Sequence, residues 1–344
     1  MVLSSVHSSF THLIPALFNV IVVPPLLALA MAIAVIGILL RSRVAELALD
    51  RPNQRSLHAT PTPRLGGVGI LAGAIAAWTY AGTETEPQLA IALALLIAIS
   101  LLDDLCRIGV TWRMLVHLAS ALLAATALVY ASHGIWLTLA ATLATAWMIN
   151  LYNFMDGSDG LAGGMAVLGF GCYGATALAG GDFSFAAINL SVAAAALGFL
   201  FFNFPPARIF MGDVGAIPLG YLAATLGIAG WLRGAWPWWY GAVVFSPFIV
   251  DASCTLVRRL GRGARVWRAH REHYYQRLVQ SGWGHRKTAL AEYGLMALTS
   301  SIAFAGMRLE AAPQTATLCG VAFLYAALII ALERRLAQPA RHLG

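Results

Sequence analysis

The sequence predicts an all-α, polytopic integral membrane protein with about 10–11 transmembrane helices and an active site on its cytoplasmic face. Three observations carry that prediction. Of 344 residues, 59% are hydrophobic and 11% charged, whereas a soluble domain carries about a quarter charged residues. A protein core cannot absorb this excess of apolar side chains, so lipid must be the solvent. Apolar stretches recur along the chain without a long polar segment between them, and the cations fall almost entirely in alternate connections.

A spanning helix needs roughly 20 apolar residues. Eleven candidates stand near 17–40, 66–82, 88–102, 113–131, 135–150, 161–179, 185–202, 214–231, 237–256, 289–306 and 314–332. Several are short, which sets ten as the lower count. The first is read as retained rather than cleaved, because no Lys or Arg precedes Arg41 and the stretch is long. Residues 1–344 form a single transmembrane domain with cytoplasmic loops at about 41–65, 103–112, 151–160, 203–213 and 257–288. Cys106, Cys172, Cys254 and Cys319 show no metal-ligand spacing and read as small hydrophobes.

Orientation follows from charge. With 41–65 inside and strict alternation from there, 20 of the 22 Lys and Arg residues lie inside, and Arg233 and Arg308 lie outside. The N-terminus is then periplasmic and the C-terminus cytoplasmic. The net charge of +7 calls for no nucleic-acid partner. Positive-inside bias and anionic membrane lipids account for it, and basic loops also attract anionic substrates.

Fifteen acidic residues in such a chain make their positions informative. Glu84, Glu86, Asp182 and Glu310 fall in short outside loops, where solvation explains them. Glu46, Asp50 and Glu333 lie in basic inside segments and read as ordinary surface pairs. Asp103 and Asp104 end the third stretch in ISLLDDLCR, Asp156 and Asp159 follow the fifth in NLYNFMDGSDGLAGG, and Asp213 precedes the eighth in FNFPPARIFMGDVGAIPLG. All emerge on one side. A carboxylate at membrane depth costs roughly 2.5–3.5 kcal/mol, so function is its default explanation. One helix-end pair is easily dismissed as solvated; three sites on one face are not.

Asn150, Asn153, Asp156 and Asp159 recur every third residue, which at helical pitch makes a polar ladder along one face. Such oxygens suit Mg²⁺, which takes one or two protein carboxylates plus phosphate oxygens. The glycines at 157, 160, 163 and 164 allow close backbone approach to a ligand, and equally allow tight helix packing. RPNQRSLHATPTPRLGG (51–67) reads as a loop in which Arg55, His58 and Arg64 hold anionic oxygens. Residues 264–280 read as an amphipathic helix at the interface, its arginines mostly on headgroups, with His270 and His273 one turn apart beside Arg271. Asp251 reads as a supporting residue or a partner of Arg258 or Arg259.

As an ordered set, PTPRLGG, LLDD, NLYNFMDGSDGLAGG, FNFPPARIFMGDVG, DASCTLVRR and HREHYYQRL resemble the polyprenyl-phosphate N-acetylhexosamine-1-phosphate transferases, from about Arg51 to Gln276. The resemblance implies a bacterial inner-membrane enzyme. Undecaprenyl phosphate attacks the β-phosphorus of a UDP-HexNAc, giving a lipid-pyrophosphate-sugar and UMP, with Mg²⁺ (or Mn²⁺ in its place) as cofactor. Position by position it implies that Asp103 and Asp104 are the catalytic pair and that Asp156 and Asp159 are the essential acids of the DGxDG element. It implies that Asn153 and Asp213 hold the metal, and that Asn203 and Phe210 form the nucleoside pocket. Arg113, His270 and His273 match basic positions near the diphosphate and sugar; Asn150, Arg271, Arg55, His58 and Arg64 are expected to bind substrate from the polar ladder and the two basic elements rather than from the resemblance. The triple histidine of the peptidoglycan translocase is absent, and PTPRLGG and HREHYYQ look like the O-antigen and capsule branch. Arg107 departs from the acid or lysine many members carry there. The oligomeric state stays open between monomer and homodimer.

Three other classes fit less well. A secondary transporter would place its acids near the bilayer midplane and show an internal repeat. A CDP-alcohol transferase would carry a different spaced-aspartate signature. A scaffold without chemistry gives no reason for charges at so many helix ends.

Overall fold

The structure, a computed structural model, describes residues 18–52, 57, 60–106, 108–264 and 270–337. The expectations for Arg55, His58 and Arg107 lie outside these residues, as does the middle of the predicted interfacial helix. In lipid every backbone polar group must be satisfied within its own segment, so the apolar stretches have little choice but to be helices. Among the described residues fourteen α-helices are numbered: α1 (Val23–Arg41), α2 (Val44–Leu47), α3 (Gly66–Tyr80), α4 (Pro87–Cys106), α5 (Val110–Ala125), α6 (Ala131–Met155), α7 (Leu161–Ala179), α8 (Phe183–Asn203), α9 (Asp213–Leu232), α10 (Tyr240–Val244), α11 (Ser246–Gly261), α12 (Tyr274–Leu278), α13 (Gly284–Gly306) and α14 (Ala311–Ala337).

Every predicted stretch is helical, though not every one is a straight single span. Among the described residues eight helical runs are long and apolar enough to cross a membrane. One of them, Val110–Met155, holds two of the predicted stretches. A π-turn at Thr126–Tyr130 and the non-helical Gly134 break it into α5 and α6. The ninth stretch is divided at Phe245 into α10 and α11. Helix α3 has 15 residues, about 22 Å at 1.5 Å per residue, short of the roughly 30 Å hydrocarbon core. It is sheltered between α1 and α8 instead.

Burial sorts the bundle into an interior and a rim. Along their most apolar stretches α7, α8 and α9 are 67% buried, against 11% for α14. Close approach depends on small residues, the usual device where lipid removes the hydrophobic drive. Gly73 of α3 lies against the Ala28 carbonyl of α1 and the Ala195 methyl of α8, and Gly198 of α8 lies against the Leu29 carbonyl.

Two sequence expectations change here. The 51–67 segment is not a plain loop, because its far end pairs. Leu49–Asp50 and Thr62–Pro63 form a short antiparallel ladder with Asp50 opposite Thr62. Among the described residues 270–273 is not helical, and α12 begins only at Tyr274. The cause is Asp251 of α11, whose carboxylate accepts the Tyr274 and Tyr275 N–H groups at 2.8 and 3.0 Å and so anchors a new helix start. Asp251 therefore supports the second basic element rather than pairing with Arg258 or Arg259. Those two arginines hold Glu333 (2.6 Å) and Glu272. Glu333 is the pairing residue expected of it and also accepts from Arg277 (2.6 Å).

Candidate active site

Helix polarity brings the acids together. Helices α4, α6 and α8 run toward one end of the bundle, and α5, α7 and α9 start from it. The ends of α4 and α6 and the start of α9 thus meet. Asp103 closes the last turn of α4, with Oδ1 accepting the Ile108 N–H at 2.7 Å. Its Oδ2 lies 2.5 Å from Nη1 of Arg113, and Nη2 of that same guanidinium lies 3.2 Å from Asp213. Arg113 is thus a clamp joining the end of α4 to the start of α9. Asp104 points the other way and is 2% exposed at its side chain, 3.7 Å from Arg64. Its Oδ2 accepts the Val214 N–H (3.4 Å), placing a carboxyl oxygen at the positive end of α9.

The PTPRLGG segment is held against the same helix start. The Gly66 and Gly67 N–H groups donate to the carbonyls of Phe210 and Met211, each at 2.9 Å, and the Phe210 N–H donates to Pro63 (2.8 Å). Gly212 has φ +73°, and a methyl there would run into the Arg64 carbonyl. A residue other than glycine at 212 would push the arginine loop off the helix start.

The polar ladder of the sequence is interrupted. Helix α6 ends at Met155, and the chain turns at Asp156 before Gly160 takes φ +77°. Asn150 stays inside the helix, its Oδ1 3.2 Å from Nδ1 of His117. Asn153, Asp156 and Asp159 instead line a cavity of about 350 Å³ together with Arg64, Asn203, Phe210 and Asp213. Helical spacing failed as a guide because the glycines that permit ligand approach also end the helix.

Both side-chain ends of Asn203 are engaged. Oδ1 accepts the Gly160 N–H and Nδ2 donates to the Ile209 carbonyl, each at 2.8 Å. Asp159 accepts the Ala207 N–H at 3.0 Å. The 156–160 turn and the 204–212 connection are therefore laced together across the cavity wall. Asp50, expected to be a surface pair, lines this cavity, because the β-ladder folds it inward.

His285 is the residue that sequence reasoning missed. Its Nδ1 lies 3.0 Å from Ser158 Oγ and accepts the Asp159 N–H at 3.2 Å, while Nε2 lies 3.2 Å from the Leu57 carbonyl. Through these contacts the ring ties the 156–160 turn to the arginine loop. Its weak signal is isolation, since no other histidine stands between His273 and His342.

The histidine pair sits elsewhere. His273 is 3% exposed and faces Asp251 at 3.3 Å. Neither His270 nor His273 lines the cavity, and Arg271 is exposed. Desolvation, then His273, Arg259 and Arg258, pushes the His270 imidazole down to about 4, so it is neutral at physiological pH. Gln276 is the member of HREHYYQ that reaches the cavity.

Charge balance says what the cavity can hold. Asp103, Asp104, Asp156, Asp159 and Asp213 gather at this end, while Arg64 and Arg113 are the arginines paired with them among the described residues. The Asp156 carboxyl is pushed well above the usual carboxylate range, first by desolvation and then by Asp213 and Asp104. Among the described residues the site carries more carboxylates than paired cations. Among the described residues no three His, Cys, Asp or Glu side chains converge as a ready-made metal cage, but Mg²⁺ needs only one or two carboxylates. The oxygens of Asn153, Asp156 and Asp213 on one cavity fit it.

Residues 87–231 match the family described as glycosyl transferase family 4. Across the longer chain there is 30% identity over 352 residues to a decaprenyl-phosphate N-acetylglucosaminephosphotransferase of Mycolicibacterium smegmatis, covering 84% of this chain and 82% of the relative. A probable undecaprenyl-phosphate N-acetylglucosaminyl 1-phosphate transferase of Bacillus subtilis is 29% identical over 290 residues, 79% of this chain and 81% of the relative. A phospho-N-acetylmuramoyl-pentapeptide-transferase of Geobacillus sp. is 34% identical over 137 residues, covering 39% of this chain and 40% of the relative. With the acids, the arginine clamp and the helical frame in one arrangement, the chain belongs to the polyprenyl-phosphate N-acetylhexosamine-1-phosphate transferase family.

Proposed function

We propose that this protein transfers a HexNAc-1-phosphate from a UDP-sugar to undecaprenyl phosphate, giving undecaprenyl-pyrophosphate-HexNAc and UMP, as an initiating step of O-antigen, capsule or related envelope polysaccharide synthesis. The observation that carries this reading is the electron-rich cavity bounded by Asp156, Asp159 and Asp213 and flanked by Arg64. Two phosphate-bearing substrates can meet there only if their charge is neutralised. An oxygen of the acceptor phosphate forms a bond to the β-phosphorus, and the bond from that phosphorus to the UMP oxygen breaks, UMP leaving with the electron pair. The acceptor phosphate carries roughly 1.5–2 negative charges at neutral pH, by analogy with other phosphomonoesters. It therefore needs alignment and neutralisation more than deprotonation.

Asn153, Asp156 and Asp213 would hold Mg²⁺, which when bound neutralises phosphate oxygens and polarises the phosphorus. Arg113 keeps Asp103 and Asp213 at fixed separation. Arg64 faces both Asp104 and the cavity, so it is the guanidinium available to an incoming diphosphate. Phe210 offers its ring to the uracil. The acidic end of the bundle faces the cytoplasm of a bacterial inner membrane, with the N-terminus periplasmic, a reading supported by the 20 cations assigned to that side. Every residue used lies in one chain, so a homodimer would not complete the site.

Purified protein with Mg²⁺, undecaprenyl phosphate and a panel of UDP-HexNAc donors should release UMP. Asp103→Asn and Asp213→Asn should each insert normally and lose about 10²–10³-fold in rate, the usual cost of removing a charge-stabilising group. Silence across the whole panel, or full activity in both variants, would overturn the reading.

A further inference from the structure

A second depression, about 640 Å³, lies between α1 and α8 and reaches the 204–212 connection at Arg208. Its walls are hydrocarbon, from Ile33, Ile38 and Leu40 of α1 and Phe201 and Phe202 of α8, and it includes Arg41 and Arg208. No residue lines both cavities.

Two features separate this groove from an ordinary lipid-facing surface. The first is unspent charge. Arg64, Arg113, Arg233, Arg258, Arg259 and Arg277 all face carboxylates. Among the described residues Arg41 and Arg208, like Arg308 and Arg335 elsewhere, face no carboxylate, and Arg208 donates only to the Phe201 carbonyl at 3.4 Å. The Arg208 guanidinium lies 4.9 Å above the Phe202 ring, poised where apolar wall meets polar connection. The second is Gly37. Gly69, Gly73 and Gly198 in the neighbouring helices each meet a close neighbour, but nothing stands within 4 Å of where a Gly37 side chain would begin. A glycine inside a helix costs about 1 kcal/mol relative to alanine. Here no helix packs into the space it leaves, and the groove stays open.

We propose that this groove binds an anionic phospholipid, its phosphate between Arg41 and Arg208 and an acyl chain along Gly37 and Ile33. Basic pockets between transmembrane helices take anionic headgroups for this reason. The occupant is not the reacting acceptor, because no groove residue reaches the acidic cavity. The lipid would still matter to the site. Arg208 is flanked by Ala207, whose N–H donates to Asp159, and by Ile209, whose carbonyl accepts from Asn203. A headgroup on Arg208 holds from outside the connection that Asp159 and Asn203 hold from inside.

Native mass spectrometry and thermal unfolding test this in nanodiscs of phosphatidylcholine, with and without phosphatidylglycerol. Each arginine beside an anionic surface is worth about five-fold in affinity, and the pair about thirty-fold. Wild-type protein should retain phosphatidylglycerol over phosphatidylcholine and unfold at a higher temperature with it. Arg41→Gln/Arg208→Gln should lose that preference about thirty-fold, and Gly37→Leu, which fills open space and favours the helix, should lose retention with both arginines intact. Equal retention of phosphatidylglycerol by wild type and either variant, or of both lipids by wild type, would overturn the proposal. So would displacement of phosphatidylglycerol by undecaprenyl phosphate in wild type but not in the double variant, which would assign the groove to the acceptor. These readouts are of binding, so they stand whatever the transfer assay shows.

Discussion

Burial first, and then the charges of Asp213 and Asp104, hold Asp156 in an environment that resists its ionisation. Such strain is typical of a site awaiting a positively charged ligand. Asp156→Asn should therefore raise the unfolding temperature of cation-free protein while lowering transfer. Mg²⁺ should raise the unfolding temperature of wild type more than that of Asp156→Asn. A calorimetric comparison with and without Mg²⁺ checks both. His285 makes a different prediction. It touches the Asp159 N–H, Ser158 and the Leu57 carbonyl, so it positions the turn rather than acting in the chemistry. His285→Ala should cost about 10–100-fold, the usual penalty for losing a group that orients a working residue. The loss should fall mainly on KM for the UDP-sugar, with partial rescue in His285→Gln. Neither residue's environment was legible in sequence. Asp156 was visible as an acid in a glycine-rich turn, but its neighbours come from α4 and α9; His285 had no motif around it.

The second basic element depends on one carboxylate in a neighbouring helix. Asp251 accepts two backbone N–H groups of α12 and faces His273. Asp251→Ala leaves those buried donors unpaired, at about 1–3 kcal/mol for an unsatisfied group. Amide exchange across 274–283 should accelerate by about 5- to 150-fold where it reports local opening. His270, beside this helix start, has its imidazole lowered to about 4. A group that resists protonation in the folded state makes stability fall as pH drops below its unfolded value of about 6.5, until pH reaches the folded value. The protein should thus lose stability between about pH 6.5 and 4, and His270→Gln should flatten that slope in a pH series of melting curves. The amphipathic pattern of 264–280 predicted one helix. Periodicity cannot see that a carboxylate more than twenty positions earlier supplies a competing start at Tyr274. The same limit undid the Asn150–Asp159 ladder, whose spacing is helical although its glycines are not.

The assembled bundle makes a statement about sidedness. The α4, α6 and α8 ends and the cation-rich connections share one end, while Arg233 pairs with Asp182 at the other. Cys106 is exposed at the end of α4, beside the acids. With the other three cysteines replaced, it should react with a membrane-impermeant maleimide in inside-out vesicles and stay unlabelled in intact spheroplasts. The reverse pattern would invert the orientation.

Hydropathy and charge are one-dimensional properties, and lipid reads them directly because each segment must satisfy its own backbone. For that reason the sequence alone determined the all-α architecture, the helical stretches and the gathering of Asp103, Asp104, Asp156, Asp159 and Asp213 at one end. What those acids touch is decided by helices meeting through small residues far apart in the chain. Only the tertiary structure could turn Arg113 into a clamp between Asp103 and Asp213, give Asp251 to α12, fold Asp50 inward and bring His285 to Ser158. Each of those contacts depends on which faces pack, and no local pattern encodes that.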